Sequence, residues 1–176
     1  NTVKSLASEH VETEAALKAS GITYTILRNG WYTENYTASI PAALANNAFY
    51  GSAKNGKISS VLRAELAEAA VNVALSEGHE NQTYELAGST SWTLADLAAE
   101  ISKQTGKGIP YVDIPAADYA AALVQAGLNE GFAGLIAQWD VDASNGALFS
   151  EDKTLDKLLG RPTAGLDVAV KQALDH

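Results

Sequence analysis

The 176-residue chain has no cysteine and no methionine, and only three histidines, four prolines and three phenylalanines. Without thiols there can be no disulfide framework, thiolate nucleophile or cysteine-ligated metal, a pattern that suits a reducing compartment. Positive charge is also scarce. Lys plus Arg number 12 against 21 Asp plus Glu, a net charge of -9, and no basic cluster stands out. That excludes the phosphate-contacting footprint of a nucleic-acid binder. No apolar run reaches the length of a membrane span and no signal-peptide pattern opens the chain, so the expected location is cytoplasmic. The histidines never fall in a His-x-x-x-His pattern and no tight acidic cluster accompanies them, so no metal is expected. A strand-borne Gly-x-Ser-x-Gly turn is absent too, which removes the usual serine-hydrolase reading. With no methionine and no strand ahead of Asn1–Ser5, the chain is expected to be the carboxyl-terminal part of a longer one.

What is present is 47% hydrophobic and 19% charged, the profile of a globular chain with one main core. Leu6, His10, Thr13 and Leu17 share a helical stripe, and Gly21 supplies a stop, so residues 6–20 read as a helix. Residues 23–28 are β-rich and bounded by Gly21 and Gly30, and read as a buried strand. Residues 36–46 look helical, with Pro41 near a first turn or making a kink. Phe49–Gly51 and Lys57–Val61 flank Asn55-Gly56, which predicts a small hairpin or a pair of short strands.

Further along, Arg63–Ser76 has the spacing of an amphipathic helix, and Gln82–Ala87 reads as a second strand. Thr93 with Asp96 resembles a capping box opening a helix to Gly106, and Ile109–Ile114 reads as a third strand. Beyond Pro115 the pattern is helix after helix, over about 116–126, 129–143, 151–159 and 164–175, as glycine and proline punctuation indicates. Alternation followed by helices predicts an α/β fold: residues 1–114 as the remainder of a nucleotide-binding domain, 115–176 as a mainly helical substrate-side lobe with closing helices.

One stretch joins scaffold to possible chemistry. Asn29-Gly-Trp-Tyr-Thr-Glu-Asn-Tyr36 follows the first strand directly, and in an open α/β sheet the crevice beyond the strands' carboxyl ends holds the ligand. A flat ligand could stack on these rings and hydrogen-bond to the amides; an ordinary strand-to-helix connection with half-buried rings reads equally well. His79, in a turn, and terminal His176 read as solvated, whereas His10 is either a satisfied inward residue or a site residue. The glycines at 127, 131 and 134 lie between helices, so they read as packing and loop residues, not a phosphate loop.

Leu6-Ala-Ser-Glu-His-Val-Glu-Thr-Glu14 and Ser20-Gly-Ile-Thr-Tyr-Thr-Ile-Leu-Arg-Asn-Gly-Trp-Tyr-Thr-Glu-Asn-Tyr36 resemble the NmrA-like branch of the atypical short-chain dehydrogenases/reductases, on its quinone- and dye-reductase side. The likeness continues through Gly78–Gly88, Ser91–Leu94, Leu148-Phe149 and Thr154–Gly160. It implies an extended Rossmann-type fold, of which this chain is the carboxyl-terminal portion, that binds NADPH, or less often NADH. Hydride would pass to a quinone or other planar acceptor without flavin or metal. The family's glycine fingerprint and first strands are not in this chain, so alone it is expected to bind the dinucleotide poorly and to be inactive.

By the same resemblance, His10 matches the histidine of the quinone and dye reductases, where related enzymes have a lysine, and touches cofactor and acceptor. Asn29, Gly30, Trp31 and Glu34 fall on the segment beside the nicotinamide, and Tyr32 joins His10 as a catalytic candidate. Position 14 is Glu, so the Tyr-x-x-x-Lys pair of ordinary short-chain dehydrogenases is not seen, and direct hydride transfer is the mechanism implied. A homodimer is compatible with the family, and the alternative is a non-catalytic NmrA-like NADP-binding redox sensor.

Overall fold

A computed structural model describes residues 3–175, with the side chains of residues 4–6 outside that description. His176 and the Leu6 side chain therefore lie outside the described residues. α1 (Lys4–Ala19) ends at Ser20, and Gly21 follows at φ +75°, the left-handed position a glycine stop requires. β1 (Thr25–Asn29) comes next, then the short helices α2 (Glu34–Thr37) and α3 (Ile40–Asn46), with Pro41 in the first turn of α3. β2 (Phe49–Gly51), α4 (Arg63–Leu75), β3 (Gln82–Leu86), α5 (Leu94–Thr105) and β4 (Tyr111–Asp113) follow in order. The capping box of α5 forms as the sequence predicts: Thr93 Oγ1 accepts the Asp96 N–H, and the Asp96 carboxylate accepts the Thr93 N–H. Four helices close the chain: α6 (Ala116–Gln125), α7 (Glu130–Ser144), α8 (Thr154–Leu159) and α9 (Leu166–Leu174).

Two parallel strand pairs organise these elements. β1 pairs with β3, register Leu27 to Tyr84, and β2 pairs with β4, register Tyr50 to Val112. Parallel pairing demands a crossover, and here α3, β2 and α4 lie within the long connection between β1 and β3. One core holds Ile40, Phe49, Ile58, Trp92, Leu97 and Ile101; a second holds Val61, Leu66, Leu86 and Leu155 beside the first strand pair. The last helices divide between partners: α6 packs on α7, α8 on α4, and α9 on α5.

Of the small hairpin or pair of short strands expected around Asn55-Gly56, the Phe49–Gly51 strand forms but no hairpin does. β2 takes β4 as its partner, and the 57–61 strip makes only isolated bridges, Ile58 to Trp92 and Tyr32 to Val61. The positive φ in this turn belongs to Lys54, at 50°, not to Gly56. Gly56 serves a different need, because a Cβ there would sit 2.4 Å from the Ala143 carbonyl oxygen on α7. His79 is not simply solvated either. Its ring is half-buried, Nδ1 is 2.8 Å from the Tyr84 hydroxyl and Nε2 is 2.9 Å from Ser76 Oγ, tying the turn to the strand that follows.

Candidate functional site

The site begins where β1 runs out. Gly30 N–H donates to the Leu86 carbonyl at 2.8 Å, extending the β3 ladder by one residue, and a Cβ on Gly30 would lie 2.3 Å from that oxygen. The chain then swings onto the 57–61 strip: Val61 N–H donates to Trp31 O at 2.8 Å and Thr33 N–H to Val61 O at 3.0 Å. Buried Thr33 and Ser60 join hydroxyls at 2.7 Å. In extended backbone successive side chains alternate, so Trp31 and Tyr32 diverge. Trp31 packs on the first core and meets Trp139 of α7 edge to face at 5.3 Å; Tyr32 packs on the second core beneath the Arg63 guanidinium, 4.7 Å from its ring.

Glu34 anchors this turn to α4. Its Oε1 accepts the Arg63 N–H at 2.8 Å, satisfying one orphan donor at the helix start, while Arg63 Nη2 donates to Asn35 Oδ1 at 3.1 Å. Glu34 Oε2 is buried without a partner. The Trp31 indole N–H lies near enough to the Tyr36 hydroxyl to favour its ionised form, yet no hydrogen bond of ordinary geometry forms. Asn29, exposed at the strand end, lines a cleft of about 310 Å³ with Leu27, Tyr32, Arg63, Leu66 and Ala70.

His10 is exposed, not turned inward with the expected stripe; of the described side chains of α1 only Ala7, Glu14 and Leu17 are partly covered. A helix that touches its sheet through so few residues cannot bury a full face. Its position follows from Glu14, whose carboxylate holds the Arg28 guanidinium at 2.7 Å through both Nε and Nη2. One turn back from Glu14, about 6 Å along the axis, His10 shares the helix face of that carboxylate.

A second cavity, about 360 Å³, lies at the carboxyl ends of β2 and β4, among Ser52, Lys54, Asp113, Val141 and Ser144. Beside it Asp140 of α7 is 4% exposed and accepts the Ser52 N–H at 2.8 Å. Burial pushes its carboxyl up to about 6, Ser52 opposing and Asp113 adding to the rise. Burial likewise raises the hydroxyls of Tyr36, Tyr119 and Tyr111 around it. Among the described residues no group of three or more His, Cys, Asp or Glu side chains could hold a metal ion, and no helix is long and apolar enough to cross a membrane. The sequence reading missed Arg63, Trp139, Phe132 and Asp140. Only Phe132 and Trp139 carried a signal, their seven-residue spacing.

Two parallel strand pairs flanked by helices, with the Asn29–Glu34 turn beyond a strand's carboxyl end, form a Rossmann-type α/β fold, and comparison with known proteins supports that class. No family model matches the chain. It is 54% identical to quinone oxidoreductase 2 of Escherichia coli over 165 residues, 94% of this chain and 58% of that protein. The crystal structure of that NADPH-dependent quinone oxidoreductase complexed with NADPH superposes with a TM-score of 0.91, at 53% identity over 96% of this chain and 60% of that one. A Citrobacter triphenylmethane reductase complexed with NADP(H) gives a TM-score of 0.92 at 35% identity, over 98% of this chain and 60% of that one. An NmrA-like oxidoreductase of Aspergillus flavus is 26% identical over 97% of this chain and 56% of its own length. The chain thus belongs to the NmrA-like family of reductases that includes quinone oxidoreductase 2. It spans somewhat less than two thirds of the length of these relatives.

Proposed function

We propose that this chain carries the nicotinamide and acceptor side of an NAD(P)H-dependent reductase that transfers hydride to a quinone-like planar acceptor. The observation that carries the reading is the 54% identity to a quinone oxidoreductase, with the Asn29–Glu34 turn lying beyond the carboxyl ends of a parallel strand pair. The residues present suit the nicotinamide end of NADPH, or of NADH: an exposed amide at Asn29, a buried unpartnered carboxylate oxygen on Glu34, and an adjoining cleft. When bound, the dinucleotide supplies the hydride.

This chain's own groups then divide the work. Asn29 and Glu34 Oε2 hold the carboxamide, Gly30, packed against the Leu86 carbonyl, fixes the turn that presents them, and Trp31 borders the site from the first-core side. His10 donates a hydrogen bond to the acceptor oxygen as negative charge develops there, assisted by the Tyr32 hydroxyl. Residues 1–114 form the rest of the dinucleotide-binding part, and 115–176 the acceptor-side lobe, with α8 and α9 closing onto the first part. The activity belongs to a polypeptide of the relatives' full length, in the cytoplasm, with a homodimer as the assembly to test by sedimentation. Quinone-dependent NADPH oxidation by that polypeptide, with loss on replacing His10 and Tyr32, is the test.

A further inference from the structure

The apolar arc of α7 is wider than the face it buries. Ala133, Ala137 and Ala143 point into the protein with Asp140, whereas Phe132, Leu135 and Trp139 recur at i, i+3 and i+7 on the adjoining stripe. Phe132 is 49% exposed and Leu135 42%. They do not stand alone. Phe132 meets Trp139 edge to face at 6.0 Å, and Trp139 meets Trp31 the same way at 5.3 Å, so a ladder of three rings runs from the surface to two residues beyond Asn29. We propose that this stripe is the outer wall of the acceptor site, and that Phe132 and Leu135 determine specificity for planar, uncharged acceptors of two or more fused rings.

The inference rests on the reductase reading given above, and size decides its occupant. Two half-exposed side chains fall far short of the roughly 800 Å² per partner that a stable protein interface covers, but they match one face of a fused-ring molecule. The electron-rich faces of indole and phenyl rings favour stacking on the electron-poor face of a quinone, and no charged residue lies between Phe132 and Trp139 along α7. A one-ring acceptor seated against Trp31 would not reach Phe132; a two-ring acceptor would.

The test uses the full-length polypeptide, with menadione as two-ring probe and 1,4-benzoquinone as one-ring probe, read by steady-state kinetics and by quenching of tryptophan fluorescence without NADPH. Phe132→Ala should raise both KM and the half-quenching concentration for menadione about three- to tenfold, the factor one lost aromatic contact is worth. The benzoquinone KM, the NADPH KM and kcat should stay within about twofold, as should every value for Val168→Ala, an exposed control on α9. Leu135→Ala should act in the same direction, so that a folding defect in one variant does not decide the outcome. Equal effects on both quinones, or none, would overturn the proposal, as would a shift from dimer to monomer with both KM values unchanged. If no quinone oxidises NADPH but menadione quenching saturates and weakens in Phe132→Ala, the wall stands and the reductase reading falls; normal turnover with unaltered quenching gives the reverse.

Discussion

Glu14 grips Arg28 through a forked pair of hydrogen bonds, both 2.7 Å, and Arg28 reaches on to Glu85 at 2.6 Å. This joins α1 to the first strand pair one helical turn from His10. The guanidinium hydrogen bonds hold the Glu14 carboxyl down at about 2, so its contribution is present above the unfolded value of about 4.5 and is lost as pH falls through 2.

Replacing Glu14 with Gln should therefore cost under about 1 kcal/mol at pH 7, since the pair is solvent-screened, with the difference disappearing near pH 2. Urea midpoints across that range check it. In the full-length polypeptide the same substitution should lower quinone turnover by more than its stability cost accounts for, through a misplaced His10; unchanged turnover would show that the fork has no positioning role.

Asp140 titrates in the opposite sense. Its folded carboxyl sits at about 6 against 3.8 unfolded, so the folded chain keeps a proton that the unfolded chain has lost between those values. Stability from this group is fully present below about pH 4 and falls until about pH 6, by roughly 3 kcal/mol at most. Asp140→Asn keeps an oxygen for the Ser52 N–H and removes the titration. The variant should gain about 2 kcal/mol over the parent between pH 4 and 7 in urea unfolding. Parallel pH profiles for the two proteins would contradict this.

Gly56→Ala should destabilise by about 1–3 kcal/mol, because the new methyl would meet fixed backbone at Ala143 that no rotamer change relieves. Gly108→Ala, where a Cβ meets nothing within 4 Å and φ is not positive, should be neutral or slightly stabilising. Urea midpoints of the two variants make the comparison.

That contrast also shows what the sequence could convey. Local signals carried far: the Thr93/Asp96 box and Gly21 after α1 act within a few residues and fold as read, and the run read as a buried strand over 23–28 forms a strand at Thr25–Asn29 that is exposed or half-buried throughout, because burial depends on what packs over it. Asn55-Gly56 misled because its glycine answers to a helix ninety residues away, and a hairpin signal cannot report that. The same holds at the candidate site. Asn29 through Glu34 was legible as a polar, aromatic turn after a strand, but Arg63 over Tyr32 and Trp139 against Trp31 are long-range contacts with no local mark. His10 kept its helix but not its inward face, since amphipathicity in α1 is too weak to choose one.

The most direct test is NADPH oxidation by the full-length polypeptide with menadione present and absent, for the parent and for His10→Ala combined with Tyr32→Ala. The account predicts quinone-dependent oxidation in the parent and a fall of about a hundredfold or more in the double variant, with NADPH still bound. Undiminished turnover in the variant would contradict the residue roles. Tight NADP binding with no oxidation of NADPH by any quinone would contradict the reductase itself and leave a dinucleotide sensor in its place.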